Sequence, residues 1–347
     1  MDEQPPPPPL PVDLTKYNTA AKICGNVFNL LKSSILQNDT LDINTLYDLG
    51  MNEIYKQCDS VYKKMTRKGP AFPISINLNN CIGNFTISSE PKCILLNDIV
   101  KIKLGVDLDG CIAIYGDTFV YTKENSENEI NLQSNNYIQF LHSLKKDILK
   151  EMYSGNTNDE IKIMIESKCT DQNCFPITNC KSYQHFDDQL YNNNGKYMIL
   201  NYKRIYDEKT EYLIEANECF ELLENEVYTI EISVTPEIDD SLRIVTNTHE
   251  TKLHRFNDRF CGLKLKTAKQ FYSTVFKKHN YNVFNIDEYI LTDIKHKLGS
   301  RECKNMNILE TFPVQYVFNN KIPINVYIIA FTVCVRKENG ALILKYF

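Results

Sequence analysis

The period of the apolar residues changes several times along this chain. From Asp13 the spacing is helical, with Ile23, Val27, Leu30 and Leu31 on one face. A second helix follows Asp42 through Leu46, Gly50, Ile54 and Val61. The Gly69-Pro70 pair marks its end, directly after the basic cluster Lys63, Lys64, Arg67 and Lys68. Period two then takes over. Val100, Ile102, Leu104 and Val106 alternate along a strand, Asp109-Gly110 supplies a tight turn, and Cys111 to Tyr121 returns antiparallel.

Two more helices are predicted at roughly 133–153 and 157–167. A polar stretch from about 184 to 210 reads as loop and short hairpin, and Glu226 to Thr235 as a strand. Helical spacing returns over Lys266 to Lys278 and over Ile286 to Leu298. Strands at about 313–318 and 325–336, an Asn339-Gly340 turn and a last strand to Phe347 close the chain. This order predicts an α+β fold carrying an inserted helical subdomain.

With 347 residues, 43% of them hydrophobic, the chain can bury a large core in one big domain or two unequal ones. No apolar run approaches the roughly eighteen residues of a membrane span, and no charged-then-apolar leader opens the sequence. The chain therefore reads as soluble and intracellular, with no membrane partner. Pro5 to Pro9 and Pro11 predict a polyproline or disordered tail over residues 1–12. The twelve cysteines are scattered singly. Cys169, Cys174, Cys180 and His185 lie near one another, yet their spacings fit no common zinc pattern, so reduced thiols are expected.

The net charge of −5 conceals an asymmetry. Residues 201–250 carry thirteen acidic and four basic side chains. Residues 251–280 carry eight basic ones, Lys252, Arg255, Arg259, Lys264, Lys266, Lys269, Lys277 and Lys278, against the single acid Asp258. Such a sign change points to a surface facing a polyanion, although a solvated charged face produces the same pattern.

Specific segments narrow the reading. GPAFPISINLNNC (Gly69 to Cys81), DIVKIKLGVDLDG (Asp98 to Gly110) and DTF (Asp117 to Phe119) resemble the core of the type 2 methionine aminopeptidases. They are still closer to that family's non-peptidase relatives, the proliferation-associated or ErbB-receptor-binding proteins. DLTKY from Asp13, EVYTIE from Glu226, GLKLKTAKQF from Gly262 and FTV from Phe331 extend the resemblance in order over nearly the whole chain. It implies a pita-bread fold, with 13–250 and 310–347 as the main domain and 251–309 as the helical insert.

Active members of that family hold two divalent metals between two aspartates, a histidine and two glutamates, with a further histidine on the substrate side. Transferred onto this sequence, the substrate-side histidine becomes Asn84, the two aspartates Lys103 and Ile114, the metal histidine Tyr183 and the last glutamate Ala330; Glu231 alone is retained. Such a set implies no metal, no cofactor and no catalytic residue, because a lysine at a bridging position repels divalent cations. Lys103 is expected to pair with Glu231 in the former pocket, unless its stem carries the charge out to solvent.

The resemblance further implies a monomer that binds the large ribosomal subunit near the nascent-chain exit, through ribosomal RNA and proteins. Its expected location is cytoplasmic, with a nuclear or nucleolar pool. The candidate RNA contacts are the eight basic residues of 251–280 together with Lys63, Lys64, Arg67 and Lys68. Family members continue past the last strand into a lysine-rich tail, whereas this sequence stops at Phe347, which lowers the expected affinity for RNA. A protein-interaction adaptor independent of RNA is the alternative, and a residual aminopeptidase the third reading.

Overall fold

A single hairpin sets the frame. Asp109 and Gly110 have φ of 58° and 87°, the paired positive values that a two-residue type I′ turn requires. The Asp107 carboxylate accepts the Gly110 N–H at 2.7 Å and fixes the turn. It joins the strands Ile99–Leu108 and Cys111–Val120, which pair in unbroken register from Leu108 with Cys111 to Ile99 with Val120.

In this computed structural model the described residues are 12–38, 41–122, 129–177, 182–192, 195–198, 219–236, 242–258, 262–338 and 340–347. The predicted proline-rich tail, Cys180, Arg259, Asn339 and most of the polar stretch 184–210 lie outside them. Around the hairpin an antiparallel sheet runs Lys68–Leu78, Ile99–Leu108, Cys111–Val120, Tyr327–Cys334, Val227–Pro236, Ser182–Gln184 and Tyr197–Met198. Ile99–Leu108 is buried at every position instead of every second one, because both faces of this central strand are covered.

Helices cover one face. Helix α1 (Leu14–Gln37), capped by the Asp13 side chain, packs with α2 (Ile43–Ser60) on the first half of the sheet. The second half receives α3 (Glu129–Glu151) and α4 (Asn158–Asp171), the latter opened by a Thr157/Glu160 capping box. Gly25 in α1 lets the C-terminal segment pass: a Cβ there would lie 1.8 Å from the Tyr346 carbonyl oxygen.

A second core belongs to the segment 253–312. The strands Leu253–Phe256, Phe284–Asn285 and Leu309–Phe312 pair, and α5 (Lys266–His279), α6 (Asp287–Ile290) and α7 (Ile294–Asn305) surround Phe256, Phe271, Val275, Phe284 and Cys303. No helix among the described residues is long and apolar enough to cross a membrane.

Three sequence expectations change. Helix α2 stops at Ser60, and Gly69-Pro70 sits inside the strand Lys68–Leu78. That strand is at the sheet edge, where a proline forfeits no ladder bond. The continuous helix expected over 286–298 is broken after Ile290; Asp293 caps a fresh start by accepting from the Lys295 N–H. The last strand shrinks to Leu342–Ile343, after which Tyr346 and Phe347 pack their rings against Tyr115.

Candidate functional site

A row of residues crosses the sheet from strand to strand. Lys103 faces Gly116, Gly116 faces Ala330, and Ala330 faces Glu231. Adjacent strands lie about 4.8 Å apart, so Lys103 and Glu231 start roughly 14 Å from each other along the sheet. A bare glycine and a methyl group are all that stands between them. The Lys103 stem crosses this low floor, and Nζ donates to both carboxylate oxygens of Glu231 at 3.1 Å. The same ammonium lies 4.1 Å from the centre of the Phe72 ring.

Both partners are nearly out of water, with side chains 9% and 14% exposed. They line a cavity of about 90 Å³ together with Asn84, Tyr183 and Ala330. Asn84, in a left-handed conformation, donates to the Pro313 carbonyl. Tyr183 sets its ring edge-on to Tyr191. Ile114 shares an apolar cluster with Tyr183 and Ala330, and its tip fills the space that a side chain at Gly105 would need. Five of the six positions carried over from the aminopeptidase pattern therefore line one cavity, and Ile114 packs in an apolar cluster with two of them.

The donor set does not fit the two divalent ions that the fold family implies. Of the six transferred positions only Glu231 offers a charged oxygen, and it is committed to Lys103. Nearby acids face elsewhere. Asp107 is buried beside Arg67 and Asn282, and burial raises its pKa against the pull of that guanidinium. Asp109 pairs with Lys16. Asp117 lies beside His142 of α3, with its pKa raised by burial. His185 bonds Thr229 at 2.8 Å and approaches Tyr17; desolvation pushes its pKa down to about 3, so it is a neutral, half-buried residue. Among the described residues no group of three His, Cys, Asp or Glu side chains is placed to hold a metal.

The basic candidates divide. Lys63, Lys64, Lys264, Lys266, Lys269, Lys277 and Lys278 are exposed, although Lys278 also pairs with Glu288. Lys266, Lys269 and Lys277 follow one outer stripe of α5. Arg67, Lys68, Lys277 and Lys278 come together around a cleft of about 550 Å³, although some two hundred residues separate the two pairs in sequence.

Others are occupied within the fold. Lys68 donates to the Val61 carbonyl, and Lys252 pairs with Asp287 at 3.1 Å. Arg255 is a correction. At 4% exposure it bonds the Tyr191 carbonyl and Glu310, because Leu253–Phe256 is the middle strand of its sheet. The sequence reading passed over Lys295, Lys297, Arg301 and Lys304, which α7 exposes beyond the densest charge run. It also missed Asn282, whose bond to Asp107 ties the 253–312 segment to the main sheet; nothing in the sequence marks that asparagine.

No protein-family profile matches the chain. Among curated proteins it is 26% identical over 311 residues to ErbB-3 binding protein 1 of Solanum tuberosum, covering 88% of this chain and 74% of that one. Proliferation-associated protein A of Dictyostelium discoideum is 24% identical, with 88% and 76% covered. So is the curved DNA-binding protein of Schizosaccharomyces pombe, at 24% and the same coverage. Among solved structures, a thermophilic Arx1 superposes with a TM-score of 0.78 at 20% identity over 96% of this chain and 91% of that one. A methionine aminopeptidase of Thermotoga maritima gives 0.58 at 12% identity over 98% of each. The chain is thus similar in sequence to the proliferation-associated, ErbB-3-binding proteins, and its fold is the pita-bread fold of the methionine aminopeptidases.

Proposed function

We propose that this chain is a non-catalytic, aminopeptidase-like protein that binds the large ribosomal subunit near the nascent-chain exit, through ribosomal RNA and ribosomal proteins. The observation that carries the reading is the row of exposed lysines Lys264, Lys266, Lys269 and Lys277 along α5, which reaches the cleft where Arg67 and Lys278 lie, themselves paired with Asp107 and Glu288. Exposed ammonium groups fixed on a helix neutralise phosphates and release counterions without reading sequence. The resemblance to the proliferation-associated proteins implies ribosome binding, and the name of the fission-yeast relative fits a nucleic-acid surface on this scaffold. The non-catalytic half rests on Lys103 standing where a bridging carboxylate would be needed. In this reading residues 251–309 form an insert subdomain upon a main domain of 13–250 and 310–347.

Co-sedimentation with purified large subunits over a salt series tests it. Binding should fall steeply as salt rises. Lys264→Glu, Lys266→Glu, Lys269→Glu and Lys277→Glu combined should abolish it without lowering Tm. Binding indifferent to salt and nuclease would replace the reading with a protein-interaction adaptor. Manganese- or cobalt-dependent release of N-terminal methionine from a peptide would restore the enzyme.

A further inference from the structure

Helix α7 carries a surface of different chemistry from α5. Leu291, Ile294 and Leu298 are 76%, 74% and 49% exposed. Leu291 lies in the turn between α6 and α7, just before the cap Asp293, while Ile294 and Leu298 stand four residues apart and share one side of the first turns of α7. The other side faces α5. A Cβ on Gly299 would lie 2.4 Å from the Thr267 carbonyl oxygen, and Cys303 is fully buried. The three aliphatic side chains are therefore no part of the core beneath them.

Around this stripe the free charges are positive. Lys295, Lys297 and Arg301 are exposed on α7. The carboxylates of the same segment serve the fold: Asp293 caps α7, and Glu302 accepts the backbone N–H groups of Lys264 and Leu265 at the start of α5. Asp287 and Glu288 are paired with Lys252 and Lys278.

We propose that this face docks an amphipathic helix of a partner protein, one whose apolar stripe is flanked by carboxylates. Charge complementarity selects that occupant. Acidic flanks would meet Lys295, Lys297 and Arg301 while the apolar stripe covers Leu291, Ile294 and Leu298. A sugar-phosphate backbone would satisfy the cations and leave the aliphatic groups in water. Twofold pairing with a second copy would set the three cations against their own equivalents. None of the α5 lysines takes part, so the proposal stands apart from the ribosomal one.

The test uses the full chain and two stapled helical peptides with the same leucine stripe, one flanked by glutamates and one by lysines, read by fluorescence anisotropy. The glutamate peptide should bind at least about ten-fold more tightly than the lysine peptide. Leu291→Ser with Ile294→Ser should weaken it by about ten-fold or more with Tm unchanged, since both side chains lie outside the core. Lys295→Glu with Arg301→Glu should reverse the preference between the peptides. Equal binding of the two peptides, or a preference that does not reverse, overturns the proposal. So does flotation with phosphatidylserine vesicles, or a dimer in light scattering, that the serine variant abolishes.

Discussion

The ammonium of Lys103 sits 3.1 Å from each carboxylate oxygen of Glu231, over a floor made by Gly116 and Ala330. Neither charge has an alternative partner of opposite sign among the described contacts of the cavity. Lys103→Ala leaves Glu231 buried and uncompensated, a loss of about 3–5 kcal/mol. Lys103→Met with Glu231→Leu should recover most of it. Urea unfolding of the two singles and the double gives the coupling directly, and purely additive losses would sink the pairing.

Gly25 should tolerate no side chain. The Cβ of Gly25→Ala would strike the Tyr346 carbonyl, and backbone on both sides leaves little room to yield. A loss of about 1–3 kcal/mol is expected, with the tail segment displaced from Tyr115. Tm and proteolysis of the C-terminus check both effects together.

Stability should fall early on the acid side. His185 and His279 are held neutral by burial, each with a pKa near 3 against 6.5 in the unfolded chain. Between those values the unfolded state binds more protons, so stability is complete above about pH 6.5 and drains away below it. Each histidine contributes a loss of about 2 kcal/mol by pH 5. Lys101 acts in a higher window. Buried and donating to the Asn79 carbonyl, its amine is pushed down to about 7, so stability should rise further between pH 7 and 10. Urea midpoints at a series of pH values test both. Gln at 185 and 279 should flatten the acid limb.

Arg255 and Lys269 should separate stability from binding. Arg255→Leu strands the Tyr191 carbonyl, and should lower stability by about 1–3 kcal/mol. Lys269→Ala should leave Tm unchanged and reduce the slope of log affinity against log salt by about 0.7–0.9 for RNA. A normal salt slope for Lys269→Ala would remove that residue from the proposed surface.

The legible part of this protein was local pattern. The Asp109-Gly110 hairpin, α1, α2 and the strand around Glu231 follow from apolar spacing and turn chemistry. Long-range pairing was hidden. Nothing at Gly116 or Ala330 announces that they lie between Lys103 and Glu231, because that depends on which strands become neighbours. Arg255 looked like surface because its neighbours in sequence are charged, while its place in a middle strand is set by partners thirty and fifty-five residues away. The break between α6 and α7 was masked by apolar residues that keep helical spacing across it, including Leu291 and Ile294, which prove to face outward.

A cation delivered on a side chain differs from one drawn from solution. It is present from the moment the strand is synthesised, no chelator removes it, and no competing ion replaces it. The shallow floor over Gly116 and Ala330 is what lets one flexible stem supply that charge. A glutamate placed at 330 would therefore meet the lysine before it met any metal.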